Sequence, residues 1–345
     1  MIKRHVERVT RAEVAKEAGT SVAVVSYVIN NGPRPVAPET RERVLMAIKK
    51  TGYRPNGIAR ALASGTTQTY GLIVPDIANP FIASMAHALQ QEAFADGKVL
   101  LLGDAGDSRE RERELINNLL HRQVDGLIYI SVDRHPWLEL IQENGTPCVM
   151  LDRVDPELNV CAIQVNEQQA AYQATHHLIE HGYREIAIIC GPLEMLNTRD
   201  RISGWQLALE EAGLNVNPQW IFSTDYTRGG GYEATQRMLS GSTLPRALFA
   251  TNEQQAFGCL RAMAEQGLKA PDDLALVCFN GTIESAFNVP SLTTVRQPIA
   301  LMAREAINML RTWDGKPHSH EFSFDLQIGE SCGCRSLKQT ATSEI

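Results

Sequence analysis

Residues 10–30, TRAEVAKEAGTSVAVVSYVIN, read as two short helices joined by a tight turn. Thr10 is a good N-cap, and Glu13 stands three residues on, the spacing of a capping box. Val14, Ala15 and Ala18 supply one apolar face. Gly19 stands where a helix commonly ends on a left-handed residue. Thr20 or Ser21 can cap the second helix, which carries Val22, Val24, Val25 and Val28. Two helices joined through a glycine-containing turn make a helix-turn-helix. In that motif the second helix enters the major groove of DNA and its early residues meet base edges. A helical hairpin in an ordinary core has the same local pattern, so the neighbouring sequence has to decide.

Working outward, residues 31–35, NGPRP, form a turn-rich loop. Pro38 can occupy the first turn of a third helix, in which Val44, Leu45 and Ile48 make an apolar stripe and Gly52 marks the end. Such a three-helix bundle holds the second helix rigid. Residues 53–65, YRPNGIARALASG, contain a short helical candidate between Pro55 and Gly65. At that length an isolated helix is marginal in water, which implies ordering on binding. Residues 66–69 are a polar joint.

Charge sets this head apart. Residues 1–65 hold 12 Lys and Arg against 5 Glu and no Asp, while the remainder holds 21 basic and 35 acidic residues. A basic head on an acidic body implies that the head alone meets a polyanion.

From Tyr70 the texture changes. Apolar runs alternate with helical patterns: YGLIVP, VLLLG, GLIYIS and PCVML, with helices near 80–96, 108–122 and 136–144. The rhythm restarts with AIQV and continues through EIAIIC, WIF, ALFA and LALVCF, with helices near 167–181, 199–213, 230–240 and 253–266. Continuous apolar strands alternating with helices imply parallel sheets covered on both faces. Two series imply two doubly wound lobes, with a ligand cleft beyond the carboxyl ends of the strands.

The length of 345 residues suggests two or three domains. No run is long enough to span a membrane. The N-terminus lacks the apolar core of a secretory signal, so the expected location is the cytoplasm. The seven cysteines are odd in number and scattered. Cys148, Cys161, Cys190, Cys259 and Cys278 lie in or beside apolar runs, where Cys behaves as a small buried hydrophobe. That argues for a reducing compartment and against a disulfide framework. Cys332 and Cys334 are close but have no evident matching pair, so no zinc site is expected.

Together these pieces resemble the lactose-repressor/galactose-repressor (LacI/GalR) family of bacterial transcription regulators. The resemblance covers nearly the whole chain and rests on EVAKEAGTS with VSYVIN, on ETRERV, on GYRPNGIARALASGTTQTYGLIVPDIANPF, on VDGLI, on HLIEHGYREIAII with GP, and on LTTVRQP. It implies a small all-α helix-turn-helix DNA-binding domain plus an α/β periplasmic-binding-protein-like body of two doubly wound parallel-sheet lobes. The expected divisions are a headpiece over 1–55, a hinge helix and linker over 56–69, a ligand-binding and dimerisation body over 70–335, and a tail over 336–345. Lobe 1 would take about 70–165 plus 293–320, because LTTVRQP resembles the strand returning to it, and lobe 2 about 166–292 plus 321–335. Three crossings between lobes would make a hinge.

The resemblance implies a homodimer or pair of dimers on a near-palindromic operator, with a sugar, sugar acid or sugar phosphate as effector and no cofactor. By position, Val22, Ala23 and Tyr27 would read bases. Val22 and Ala23 are small and apolar, so a thymine methyl is their plausible contact, leaving Tyr27 as the polar reader. Ser21, Ser26 and Asn30 would meet phosphates or fix the helix. In the hinge segment Leu62 would pair with its twin and wedge into the minor groove, with Asn56 and Arg60 on the backbone. The matching pocket positions are Asn79, Phe81, Asp152, Arg153, Arg201, Tyr226, Asn252, Asn280 and Gln297. Phe81 and Tyr226 can sandwich an apolar sugar face while the polar groups serve hydroxyls. Asn280 and Glu253 depart from the family, which usually has Asp at both places. With Arg153 and Arg201 near, loss of that carboxylate suggests an acid or phosphorylated sugar. An intra-lobe salt bridge is the plainer role for either arginine, and it is least attractive for Arg201.

Other patterns carry less. Residues 177–181, HLIEH, match a metalloprotease pattern, but Gly182 follows at once, His181 can serve as a C-terminal cap, and no third ligand is evident. Residues 229–231, GGG, lack the Lys-Ser/Thr of a phosphate loop, and no G-x-G-x-x-G dinucleotide fingerprint occurs. The run at 109–114, RERERE, reads as a solvated helix face. No catalytic set assembles, which speaks against the rival reading of an α/β hydrolase or kinase. A solute receptor or chemosensor without a DNA role is the alternative reading, and residues 1–65 speak against it.

Overall fold

The capping box at Thr10 forms. Thr10 N donates to Glu13 Oε2 at 2.6 Å, and Glu13 N donates back to Thr10 Oγ1 at 3.4 Å. These bonds, the backbone one first, hold the Glu13 carboxyl below its usual range. Helix α1 (Arg11–Glu17) ends at Gly19, whose φ of +62° is the left-handed value of a Schellman-type stop. Ser21 Oγ accepts from Val24 N at 3.3 Å and so caps α2 (Val22–Asn30). Helix α3 (Pro38–Thr51) starts on its proline and ends at Gly52, φ +67°. Val14, Ala15, Ala18, Val25, Val28, Val44, Ala47 and Tyr53 form one core among the three. Helix α4 (Gly57–Ser64) follows.

The computed structural model describes residues 9–334 apart from 31, 33, 132, 152, 153 and 156, and only the backbone at 58, 59 and 63. It falls into two units, Met1–Thr67 and Gln68–Ile345. No helix among the described residues is long and apolar enough to cross a membrane.

The second unit holds two sheets. Its strands in chain order are β1 (Thr69–Val74), β2 (Val99–Asp104), β3 (Gly126–Tyr129), β4 (Cys148–Leu151), β5 (Cys161–Val165), β6 (Ile186–Cys190), β7 (Ile221–Ser223), β8 (Ala247–Ala250), β9 (Ala275–Asn280), β10 (Thr293–Arg296), β11 (Ser319–Phe322) and β12 (Asp325–Gln327). Their helices are α5 (Pro80–Ala95), α6 (Arg109–His121), α7 (Leu138–Asn144), α8 (Glu167–Glu180), α9 (Leu196–Glu211), α10 (Arg228–Leu239), α11 (Glu253–Glu265), α12 (Ile283–Phe287) and α13 (Ile299–Arg311). The sheet orders are β11-β5-β4-β3-β1-β2 and β12-β10-β9-β8-β6-β7. Every pairing is parallel except β10 with β12. Strands β3, β4, β6, β8 and β9 are buried throughout, as parallel strands covered on both faces must be. Helices α8 and α9 approach closely through Gly204, where a Cβ would stand 2.1 Å from Gln168 O.

One expectation about the lobes needs correction. The expectation that residues 293–320 belong to the first lobe fails at β10, which lies beside β9 in the second sheet. Three of its four residues are buried, with β9 and β12 on either side of the strand. The return comes just after, at residues 297–298, and α13 packs on α5 of the first lobe. Strand β5 lies beside β4 in the first sheet, within the 70–165 expected for lobe 1. The chain therefore passes between sheets after β5, after β10 and after β11.

Candidate functional site

Both sheets reverse their strand order next to the first strand of their series, β1 in one and β6 in the other. The crevice for a ligand in such sheets lies at the carboxyl ends there. A cleft of about 430 Å³ occupies that place. Asn79, Phe81, Arg201, Tyr226, Asn252, Asn280 and Gln297 all line it. Asp152 and Arg153 lie outside the described residues.

Local structure explains the placement of each. Asn79 caps α5, its Oδ1 accepting from Phe81 N at 3.0 Å. Asn252 caps α11 in the same way, accepting from Gln255 N at 2.7 Å, and its Nδ2 donates to Tyr226 O at 3.1 Å. The Tyr226 ring lies on Gly191, where any Cβ would come within 2.1 Å of Tyr226 Cζ. Its hydroxyl is 2.6 Å from Thr198 Oγ1 and donates to Asn197 Oδ1 at 3.1 Å. Asn280 ends β9 with φ +101°, a backbone region uncommon outside glycine, and its Oδ1 accepts from Gln297 Nε2 at 3.2 Å. Backbone strain of this kind clusters at ligand sites.

Arg201 differs from the expectation. It stands within α9, is almost fully buried, and its Nε pairs with Glu167 Oε2 at 2.6 Å. Its Nη1 donates to Thr251 O at 2.6 Å, and its Cζ lies 3.9 Å from the Phe279 ring centroid. The intra-lobe salt bridge, the role least attractive from the sequence for this arginine, is thus present, because α8 brings Glu167 onto α9. Glu253 is not a cleft residue. It is buried, accepting from Thr282 N at 3.1 Å, from Thr282 Oγ1 at 2.6 Å and from Ser285 Oγ, and so holds the loop after β9.

Several cleft residues escaped the sequence reading. Asp76, Asp107, Asp133, Glu167, Glu194 and Asp225 line it, against Arg201 as the sole Lys or Arg among the described lining residues. At Asp107, desolvation first and then Asp76, Asp225 and Asp104 push the carboxyl above its usual range. Gln164 also lines the cleft, with a buried Oε1 that has no hydrogen-bond partner among the described residues. A glutamine inside the otherwise apolar β5 was the one signal that could have marked it.

In the first unit, Ser21, Val22 and Ala23 are exposed at the start of α2, Val22 to 46%. Val24 is half-buried, while Val25 and Val28 are core. Ser26 and Tyr27 are half-buried, and exposed Asn30 donates from Nδ2 to Ser26 Oγ at 3.3 Å. Asn56 and Arg60 are exposed, and Leu62 is 81% exposed on α4.

The remaining patterns sort as follows. Cys148, Cys161, Cys190, Cys259 and Cys278 are buried, and burial pushes the thiols of Cys148, Cys190 and Cys259 up to about 12. The charged run at 109–114 is mostly solvated, but Glu112 is fully buried, a correction to its reading as a surface face throughout. Cys332 and Cys334, read as lacking a matching pair, have one: His177 and His181 stand beside them. The two pairs are far apart in the chain, and only the fold of the second lobe joins them.

Comparison with known proteins agrees with this architecture. Residues 10–56 match the model of bacterial regulatory proteins of the lacI family. Residues 67–338 match the model of periplasmic binding proteins and the sugar-binding domain of the LacI family. The chain is 34% identical over 328 residues to catabolite control protein A of Priestia megaterium, covering 91% of this chain and 98% of that protein. The lac repressor dimer bound to operator and the anti-inducer ONPF superposes with a TM-score of 0.83 at 25% identity, over 94% of this chain and 99% of the other. A complex of the transcriptional regulator CelR with cellobiose gives a TM-score of 0.71 at 30% identity, over 94% of this chain and 100% of the other. With its helix-turn-helix headpiece and periplasmic-binding-protein-like body, the chain is a DNA-binding transcription regulator that belongs to the LacI family.

Proposed function

We propose that the chain is a cytoplasmic repressor of carbohydrate-utilisation genes, holding a near-palindromic operator as a homodimer or pair of dimers and taking a neutral sugar or sugar derivative in its cleft. The cleft carries this reading: Phe81 and Tyr226 offer apolar faces, and Asn79, Gln164, Asn280 and Gln297 offer amide donors and acceptors around them. A buried polar site of this kind penalises a ligand that lacks a hydroxyl. The cellobiose bound to the CelR relative supports the ligand class. Charge favours a neutral ligand over a sugar acid or phosphate, because Arg201 is already paired with Glu167 and the other described charged groups of the lining are carboxylates.

In the headpiece, taken as residues 1–55, Val22 and Ala23 would meet thymine methyls and Tyr27 a polar base edge. Ser21, Ser26 and Asn30 would fix α2 against phosphates. In the linker, residues 56–69, Leu62 would wedge into the minor groove beside its twin, with Asn56 and Arg60 on the backbone. Phe94, Ile283, Phe287 and Val289 are large apolar side chains left exposed on the body, consistent with a dimer surface there. Closure on the effector would change the separation of the paired linkers and so the joint grip on the operator.

The test pairs two measurements. Thermal shift against neutral sugars, sugar acids and sugar phosphates should single out a neutral sugar, since a bound ligand raises the melting point by mass action. Duplexes selected from random sequence should be retained with a steep salt dependence that the same sugar alters. Failure to retain any duplex at low salt, with and without the sugar, sinks the proposal.

A further inference from the structure

The second lobe carries a side-chain cluster that neither the cleft nor the headpiece uses. His177 lies on the last turn of α8, and His181 caps that helix four residues on, so both imidazoles project from one face. The terminal segment brings Cys332 and Cys334 against them. Cys332 Sγ is 3.2 Å from His177 Nε2. Cys334 Sγ is 3.7 Å from His177 Nε2 and 3.0 Å from His181 Nε2. One donor atom from each of the four residues lies within 4.8 Å of every other.

We propose that His177, His181, Cys332 and Cys334 bind one zinc ion, which staples the terminal segment to α8.

Zinc prefers a tetrahedron of sulfur and imidazole nitrogen, with Zn–S about 2.3 Å and Zn–N about 2.0–2.1 Å. Those bonds at tetrahedral angles set an N···S edge of about 3.6 Å. The three N···S separations, 3.2, 3.7 and 3.0 Å, lie near that edge. A softer donor set than carboxylate and water excludes magnesium and calcium. Four protein donors describe a closed structural site, since a catalytic one keeps a position open.

The surroundings support the sulfurs in that role. Gly333, between the two cysteines, has φ +94°, a conformation that lets both side chains turn toward α8. The Thr293 hydroxyl is 2.9 Å from Cys332 Sγ and accepts from Gly329 N at 2.9 Å, so it can donate a hydrogen bond to a thiolate. Hydrogen-bonding partners of this sort orient metal ligands and tune them. Ser331 fastens the same segment from the other side, its Oγ donating to Leu276 O at 2.6 Å and accepting from Thr293 N at 2.9 Å. Zinc would add the link to α8 and tie down the chain after its third crossing between lobes.

The experiment uses the full chain under reducing conditions, stripped with a chelator, reloaded with zinc sulfate and desalted. Elemental analysis should find one equivalent of zinc per chain. Cobalt(II) in its place should show the intense ligand-field bands of a tetrahedral ion and a thiolate-to-metal charge-transfer band. The melting temperature should rise on loading and fall again with chelator. Because Cys332 is fully buried, substitution there confounds folding with binding. His181→Ala and Cys334→Ser, at more exposed positions, carry the mutational arm. Each should melt cooperatively yet lose the ion and the zinc-dependent rise. Substoichiometric zinc after loading, an octahedral cobalt spectrum without sulfur charge transfer, or full zinc retention in both variants overturns the proposal and leaves a hydrogen-bonded thiol–imidazole cluster.

Discussion

Arg201 shows how a single residue can be placed correctly and understood incompletely. Its position in the chain points to the cleft, and it lines the cleft. Its partner Glu167 stands 34 residues away and no local pattern joins the two. Removing one member of a buried ion pair leaves an uncompensated charge, at a cost of about 3–5 kcal/mol. Arg201→Ala is therefore expected to lower stability by that amount, measured by urea unfolding. In a double-mutant cycle with Glu167→Ala the two changes should be non-additive by about 0.5–3 kcal/mol. Additive losses would show that the pair does not act as a unit. Asp107 gives the opposite sign. Its folded carboxyl is raised by desolvation and by Asp76, Asp225 and Asp104. A raised acid destabilises the fold wherever it is ionised, and that penalty disappears as pH falls through its folded value. Asp107→Asn should thus raise the melting temperature at neutral pH, with the gain shrinking as pH drops into the carboxylate range. A gain constant with pH would assign it to backbone instead, since Asp107 has φ +54°.

At the scale of elements, the short helices were legible because their signals are local. A cap, a glycine stop and a three-to-four residue apolar spacing act within one or two turns. The same physics makes α4 conspicuous. It is eight residues long, and Leu62 is exposed on it. A helix this short gains little from propensity alone. Leu62→Ala should leave the melting of the free protein unchanged while weakening operator binding and reducing DNA bending, read by energy transfer between the duplex ends. Wild-type bending by the variant would remove the wedge. Strand β10 marks the limit of such reasoning. LTTVRQP is plainly a strand, but which sheet accepts it is a matter of neighbours, and β9 and β12 are those neighbours.

At the scale of the molecule, the headpiece and the cleft are coupled only if their ligands share states. Linkage then requires operator and sugar to change each other's affinity by the same factor. Calorimetry of the sugar with and without operator, set against operator titrations with and without sugar, should give equal ratios. Unequal ratios would break the two-site scheme. By itself the sequence determined the basic helix-turn-helix head, the two α/β series and most of the cleft positions, because caps, apolar runs and strand ends are properties of adjacent residues. Only the tertiary structure decided the lobe that takes β10, the partner of Arg201, the acidic lining of the cleft and the meeting of His177 and His181 with Cys332 and Cys334. Each of those depends on segments distant in the chain being packed together, and side chains that pair across such distances leave no periodic trace along it.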